Sequence, residues 1–415
     1  MLKRFSYHRI NKVNYYYIIV NIGLSVFAFL RSFVFMRVLD LKELGIISLV
    51  QTIFMLIGML QIGLLNGGYR IVSLGKTCEI EKTNNTIFSY SGLLLLVGIL
   101  FCFVFSHLQL IKDLSFVLLI ISVFFGVLTL LSNWYLNMLI GEQKLEEVNI
   151  SNVASYLFSA LMLPLAFLFG FWGAMSVIMI QPFVFVGLGF LRNKELRPTG
   201  IYFDKEYIRY ILSFGFIPFL GGIFTMLYLQ VERWSIDGFL GVEALGCFYL
   251  VFLYVSLFQL VPNSLNSIFF PKGVKSYSEK QYDAFRRVIK YYYLSIIAYN
   301  VLIILGTMFF LEPVVALLFP KHLVGVSFVY IILPGLVLLS LVDPIGLILN
   351  STVILRPMLI VSLLNFAFCV IALFIINSLG NFTLQNVAIL RTVSGIFVFV
   401  AYILVFIIIK RKIYK

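Results

Sequence analysis

The chain has 415 residues, of which 61% are hydrophobic and only 12% charged, with a formal net charge of +13. A water-soluble domain carries roughly 25% charged residues, so this composition excludes a soluble globular protein of such length. The basic surplus would suit nucleic acid, but its placement in short loops between apolar runs excludes that class as well.

Those runs are the main signal. A hydrocarbon core about 30 Å thick takes about 20 apolar residues per helix. Leu93 to Val104 is apolar or small throughout, which favours helices over the alternating strands of a barrel. In chain order the expected spans are 14–38, 43–66, 86–106, 114–138, 150–169, 172–191, 210–233, 243–269, 290–311, 324–349, 357–377 and 386–409. Pro164, Pro182, Pro218, Pro262, Pro334 and Pro344 lie inside them, as bends or as hinges of moving helices. The first run is too long for a cleaved leader, and Arg31 and Arg37 follow it without a small-residue cleavage motif.

Lysine and arginine set the expected topology. With the N-terminus inside, the inner segments hold Arg70, Lys76, Lys82 and Lys144, then a cluster from Arg192 to Arg209, another from Lys272 to Lys290, Arg356, and Lys410 to Lys415. The outer loops hold only Lys42, Lys112 and Lys321. This asymmetry places both termini in the cytoplasm.

The polar stretch 192–209 reads as a cytoplasmic linker between two halves, 1–191 and 210–415. The halves echo each other. Leu39-Asp40-Leu41-Lys42-Glu43-Leu44-Gly45 follows span one, and Leu240-Gly241-Val242-Glu243-Ala244-Leu245-Gly246 follows span seven. Leu136-Asn137 then Lys144 closes span four, and Leu349-Asn350 then Arg356 closes span ten. Six spans per half give both halves one orientation, related by an axis along the membrane normal with a cavity between. The expected fold is therefore all-α: about twelve transmembrane helices in two six-helix bundles around a central cavity.

Charges inside spans are the candidate functional residues, because an arginine at a helix centre costs roughly 2.5–3.5 kcal/mol on insertion scales. They are Arg31 and Arg37 in span one, Glu232 and Arg233 at the outer end of span seven, Asp343 in span ten and Arg391 in span twelve. Arg37, Arg233 and Arg391 also lie near enough to the outer interface to snorkel. Spans one and seven are equivalent helices of the two halves and are expected to line the cavity. The balance there is positive, which suits an anionic group, and guanidinium forks match phosphate oxygens. Arg70, in Asn66-Gly67-Gly68-Tyr69-Arg70, is a candidate at the entry or an ordinary inner anchor.

Other chemistry is poorly represented. Cys78, Cys102, Cys247 and Cys369 are scattered and read as packing residues, and His8, His107 and His322 are equally dispersed, so no metal site or cofactor is expected. There is no phosphate-binding Gly-x-x-x-x-Gly-Lys-Ser/Thr loop, hence no ATP-driven pump in this chain alone. The outer loops are short and nearly uncharged, unlike those of a membrane glycosyltransferase.

Several segments together carry a resemblance. Leu39 to Val50 with Glu43-Leu44-Gly45, Asn66 to Arg70, Leu139 to Leu145 (LIGEQKL), Ser213 to Pro218 (SFGFIP) and Glu232 to Gly246 resemble the polysaccharide flippases of O-antigen type. These are lipid-linked oligosaccharide transporters of the multidrug/oligosaccharidyl-lipid/polysaccharide exporter superfamily. The resemblance implies alternating access and an acid–base pair near Glu232-Arg233. It also implies a polyprenyl-diphosphate-linked oligosaccharide as cargo in a bacterial inner membrane, with membrane lipids and other polysaccharide assembly proteins as partners. Two other readings remain open: a multidrug exporter of the same fold, for which Asp343 and Glu232 would meet cations, and a membrane enzyme acting on lipid-linked glycan.

Overall fold

The computed structural model describes residues 20, 23–24, 26–73, 77–107, 114–142, 144–193, 197–352, 354 and 356–413. Among them there is no strand. The chain divides into two compact units, residues 1–223 and 224–415. The described part of 192–209 lies with the first.

In the first unit, α1 covers residues 26–38, and Leu39 and Asp40 lead on from it. Asp40 opens α2, Leu41–Met59, with a reciprocal cap: its Oδ1 accepts from Glu43 N at 2.7 Å, and its own N–H donates to Glu43 Oε2 at 3.0 Å. The expected span 43–66 is two helices. α2 stops at Met59, Ile62 (φ 45) and Gly63 (φ 95) turn the chain, and α3 runs Leu64–Ser73.

α4 (Thr77–His107) and α5 (Phe116–Gly141) follow, then α6, Leu145–Arg192. At 1.5 Å per residue, the 48 residues of α6 would reach about 72 Å, more than twice a hydrocarbon core. The helix is broken at Gly170 (φ 55, ψ −125), a conformation open to glycine and costly for other residues. That break falls between the expected spans 150–169 and 172–191, so α6 supplies two crossings.

α2 packs along α5, which is flanked by α4 and α6. Their core holds Leu130, Trp134, Tyr135, Met138 and Phe185, all buried. Trp134 Nε1 donates to Asn84 Oδ1 at 2.9 Å, satisfying the one polar atom of the indole inside that core.

Residues 197–204 are laced onto α4. Thr199 N donates to Asn85 Oδ1 at 3.0 Å, Thr199 Oγ1 to Glu81 Oε1 at 2.8 Å, and Tyr202 N to Ser89 Oγ at 2.9 Å. They lead into α7, Lys205–Leu240, whose residues divide between the two units. Within the first unit α7 crosses α3 at glycines, since a Cβ on Gly215 would meet Gly67 N.

The second unit continues with α8 (Val242–Cys247), α9 (Tyr249–Ser278) and α10 (Tyr282–Gly306). A π turn at Thr307–Leu311 joins α10 to α11, Glu312–Leu318. α12 runs Leu323–Ser340 and α13 Asp343–Ser351. The expected span 324–349 is thus interrupted at Leu341 and Val342, because Pro344 cannot supply the N–H that a continuous helix needs. α14 (Arg356–Ser378) and α15 (Leu384–Ile413) complete the unit.

α12 lies along α15. The approach is close because glycines face backbone. A Cβ on Gly335 would stand 2.7 Å from Thr392 Cα, and one on Gly395 would stand 2.5 Å from Gly335 O. Thr392 Oγ1 donates to Ile331 O at 2.5 Å across the same contact. Small residues with a threonine bond are how helices associate where lipid supplies no hydrophobic drive.

Nine helices among the described residues are long and apolar enough to cross a membrane. α6 counts twice, and α7 and the first expected span bring the total to about twelve; residues 14–19, 21, 22 and 25 of that span lie outside the described residues. Leu161, Leu168, Phe169, Phe309 and Phe374 are exposed on them. In water such a surface would aggregate; in lipid it is the solvated face. The protein is a multi-pass membrane protein.

Candidate functional site

The second unit holds the most concentrated group of buried charge. α7 carries Tyr228 and Glu232, one turn apart and on one face, with Arg233 about 100° further round. α9 brings Phe252 and α15 brings Arg391. Arg391 Nη2 lies 3.0 Å from Glu232 Oε2, with the two side chains 5% and 2% exposed. Tyr228 stands beside both.

Both arginines lie against one aromatic ring. Arg233 Cζ is 4.6 Å from the centroid of Phe252 and Arg391 Cζ is 5.8 Å from it. A guanidinium over a ring face is attracted by its quadrupole. Arg233 is half-buried, and its Nε and Nη1 are buried without a hydrogen-bond partner among the described residues. Behind Arg391, Ser394 Oγ donates to Asn365 Oδ1 at 2.9 Å and joins α15 to α14.

The acid of this group is paired across helices, with Arg391 and not with the adjacent Arg233. Neighbours i and i+1 on a helix point about 100° apart, so Arg233 cannot turn back onto Glu232. Arg391 arrives from another helix and does. The snorkelling reading of Arg391 is corrected by its burial: its head is held by Glu232 rather than by the interface.

In the first unit, Arg31 of α1 is half-buried and its Nη1 donates to Gln181 Oε1 of α6 at 2.9 Å, next to Pro182. Arg37, almost two turns along, is exposed. Arg70 of α3 is exposed, and its Cζ lies 4.7 Å from the ring of Phe214 on α7.

Asp343 stands apart from the arginine group, at the start of α13. It is half-buried, near Tyr292 and Tyr402, and its carboxylate makes no ion pair or hydrogen bond among the described residues. The described residues contain no group of three His, Cys, Asp or Glu that would hold a metal.

Sequence reasoning did not single out Phe252, Tyr228 or Gln181. Phe252 is one of 43 phenylalanines and carries no local mark of its role. Tyr228 has one, its four-residue spacing from Glu232.

This helical architecture is the fold of transporters of the multidrug/oligosaccharidyl-lipid/polysaccharide exporter superfamily. An inward-facing multidrug resistance transporter of the MATE family matches at 15% identity over 95% of this chain and 94% of that one, with a TM-score of 0.67. The MATE multidrug transporter DinF-BH matches at 14% identity over 96% and 94%, with a TM-score of 0.68. A superfamily transporter from Pyrococcus furiosus, described as having a binding pocket of reverse polarity that suggests a different function, matches at 14% identity over 98% and 96%, with a TM-score of 0.56. A comparison with curated proteins gives no match.

Residues 12–276 match the model of the polysaccharide biosynthesis protein family, and the chain belongs to that family. The fold it shares with those transporters is that of the superfamily.

Proposed function

We propose that this transporter flips a polyprenyl-diphosphate-linked oligosaccharide from the cytoplasmic to the outer leaflet of a bacterial inner membrane, by alternating access, for surface polysaccharide assembly. Both termini are then cytoplasmic, as the lysine and arginine distribution suggests. The observation that carries the reading is the surplus of guanidinium inside the membrane-spanning helices of a polysaccharide-family chain. Glu232 is matched by Arg391, while Arg233 makes no ion pair among the described residues and Arg31 donates to the neutral amide of Gln181.

The physics fits such a cargo. Every glycan hydroxyl taken unpaired into hydrocarbon costs a few kcal/mol, so unaided flipping is prohibitive. A polar path lined by arginines lowers that cost and holds the diphosphate, while the isoprenoid tail stays in lipid.

A multidrug exporter is the second reading. Asp343, a carboxylate without an ion pair among the described residues, favours it. Glu232 does not, because Arg391 already neutralises it. The test is a strain lacking the protein. Lipid-linked glycan accumulating on the cytoplasmic face supports the flippase; normal export with new sensitivity to cationic dyes supports the exporter.

A further inference from the structure

Glu232, Arg233, Arg391 and Phe252 form one cluster with one acid and two bases. We infer that the two bases have separate jobs: Arg391 is a positioning residue, neutralised by Glu232, and Arg233 is the cation that receives an anionic oxygen of the cargo. This assignment rests on the flippase reading and names the ligand chemistry of one part of its site, a phosphoryl or carboxylate group.

The geometry separates the two roles. Arg391 is enclosed, 5% exposed, with a carboxylate 3.0 Å away. Its charge is met by that carboxylate, although its Nη1 too is buried without a hydrogen-bond partner among the described residues, and the pair ties α15 to α7. Arg233 Cζ lies 4.6 Å from the centroid of the Phe252 ring, a contact that holds its guanidinium against the ring face. Its Nε and Nη1 are buried and donate to nothing among the described residues, yet the side chain as a whole is only half-buried. The charged groups near it are Arg391 and Glu232, with the neutral phenol of Tyr249 beside them. Glu232 is held by Arg391, so one positive charge is left over. Buried donors without acceptors are rare in folded proteins. A preoriented guanidinium with open donors is a fork for two anionic oxygens. Phe252 serves both arginines, so the pair sets the ring and the ring sets the fork.

The experiment uses the full-length protein in nanodiscs of neutral phosphatidylcholine, so that anionic headgroups do not compete. Three probes are titrated: a short isoprenoid diphosphate, the matching neutral isoprenol, and free hexuronate. Binding of the diphosphate assigns the fork to the lipid's phosphates, and binding of hexuronate alone assigns it to acidic sugars. Binding of the isoprenol as tight as that of the diphosphate overturns the proposal.

Arg233→Gln should weaken anion binding at least tenfold without lowering the melting temperature. Arg233→Lys should restore part of the affinity, because it keeps charge but not the fork. Glu232→Gln should do the opposite of Arg233→Gln: it frees Arg391, lowers the melting temperature and tightens anion binding. Wild-type affinity in Arg233→Gln, or equal weakening in Glu232→Gln, overturns the division of roles. The flippase reading fails separately: anion binding through Arg233 in a protein that moves no glycan keeps this assignment and removes that function.

Discussion

Glu232 is paired with Arg391, 159 positions away in sequence, and not with Arg233 beside it; the Nη2–Oε2 distance is 3.0 Å and both side chains are buried. The contact joins α7 to α15. Removing one partner of a buried pair strands the other charge and costs about 3–5 kcal/mol, whereas replacing both with neutral residues costs far less. Arg391→Gln alone should therefore lower the melting temperature of the purified protein sharply. Arg391→Gln combined with Glu232→Gln should recover most of the loss. A double variant as unstable as the single one would show that the pair is not the source.

The α12–α15 crossing predicts a second effect. Gly395 faces the carbonyl of Gly335, and a Cβ there would stand 2.5 Å from it. Gly395→Leu forces the helices apart and should cost about 1–3 kcal/mol, as overpacking does. Membrane abundance and thermal unfolding check this. Gly222→Leu, at a position where a Cβ meets no atom within 4 Å, is the matched control and should change neither.

Asp204 gives a pH dependence. Its Oδ1 accepts from Glu206 N at 2.8 Å and from Tyr207 N at 3.4 Å, capping the start of α7. The Glu206 amide first, then that of Tyr207, holds the carboxyl below its ordinary value. The charged form is the bonded form. The cap is therefore complete above the ordinary aspartate pKa of about 3.9 and is lost as pH falls through the lowered folded value. Amide exchange at 206–208, corrected for its intrinsic pH dependence, should lose protection as the pH is taken below the ordinary aspartate range. Asp204→Asn, which keeps an acceptor but does not titrate, should abolish that dependence. Identical profiles for the two proteins would exclude Asp204 as its source.

Some of this was legible in the sequence and some was not, for identifiable reasons. The break in α6 was legible because a run of 48 residues is too long for one crossing and Gly170 sits where the chain must turn. The break between α2 and α3 was not: Ile62 takes a positive φ that a β-branched residue rarely adopts, and no local signal announces it. The interruption before Asp343 had a signal in Pro344, which reads equally as a simple bend. The charged positions in spans were visible as costs. Which of them meet depends on tertiary packing, so Arg391 read equally as a cavity residue and as an interface residue, and its partner Glu232 could not be named.

Arg31 is the candidate of the first unit. Its Nη1 donates to Gln181 Oε1 at 2.9 Å, which bridges α1 to the second crossing of α6. A net hydrogen bond to a charged group is worth about 1.5–3 kcal/mol, little enough for the fold to survive its loss. Arg31→Ala should then abolish glycan export with membrane abundance near normal, and Arg31→Lys should recover part of it. Full export by the alanine variant at normal abundance would remove Arg31 from the site.

Reconstitution asks whether this chain alone moves a lipid-linked glycan across a bilayer. The purified protein is placed in liposomes with a fluorescent short-chain polyprenyl-diphosphate oligosaccharide, and an impermeant reductant reports how much label reaches the outer leaflet. The account predicts that the protein speeds full accessibility of the label well beyond empty liposomes, and that Arg233→Gln removes the acceleration. Accessibility that stays at the one-leaflet level of empty liposomes, in vesicles where the same protein moves a cationic dye, would contradict it.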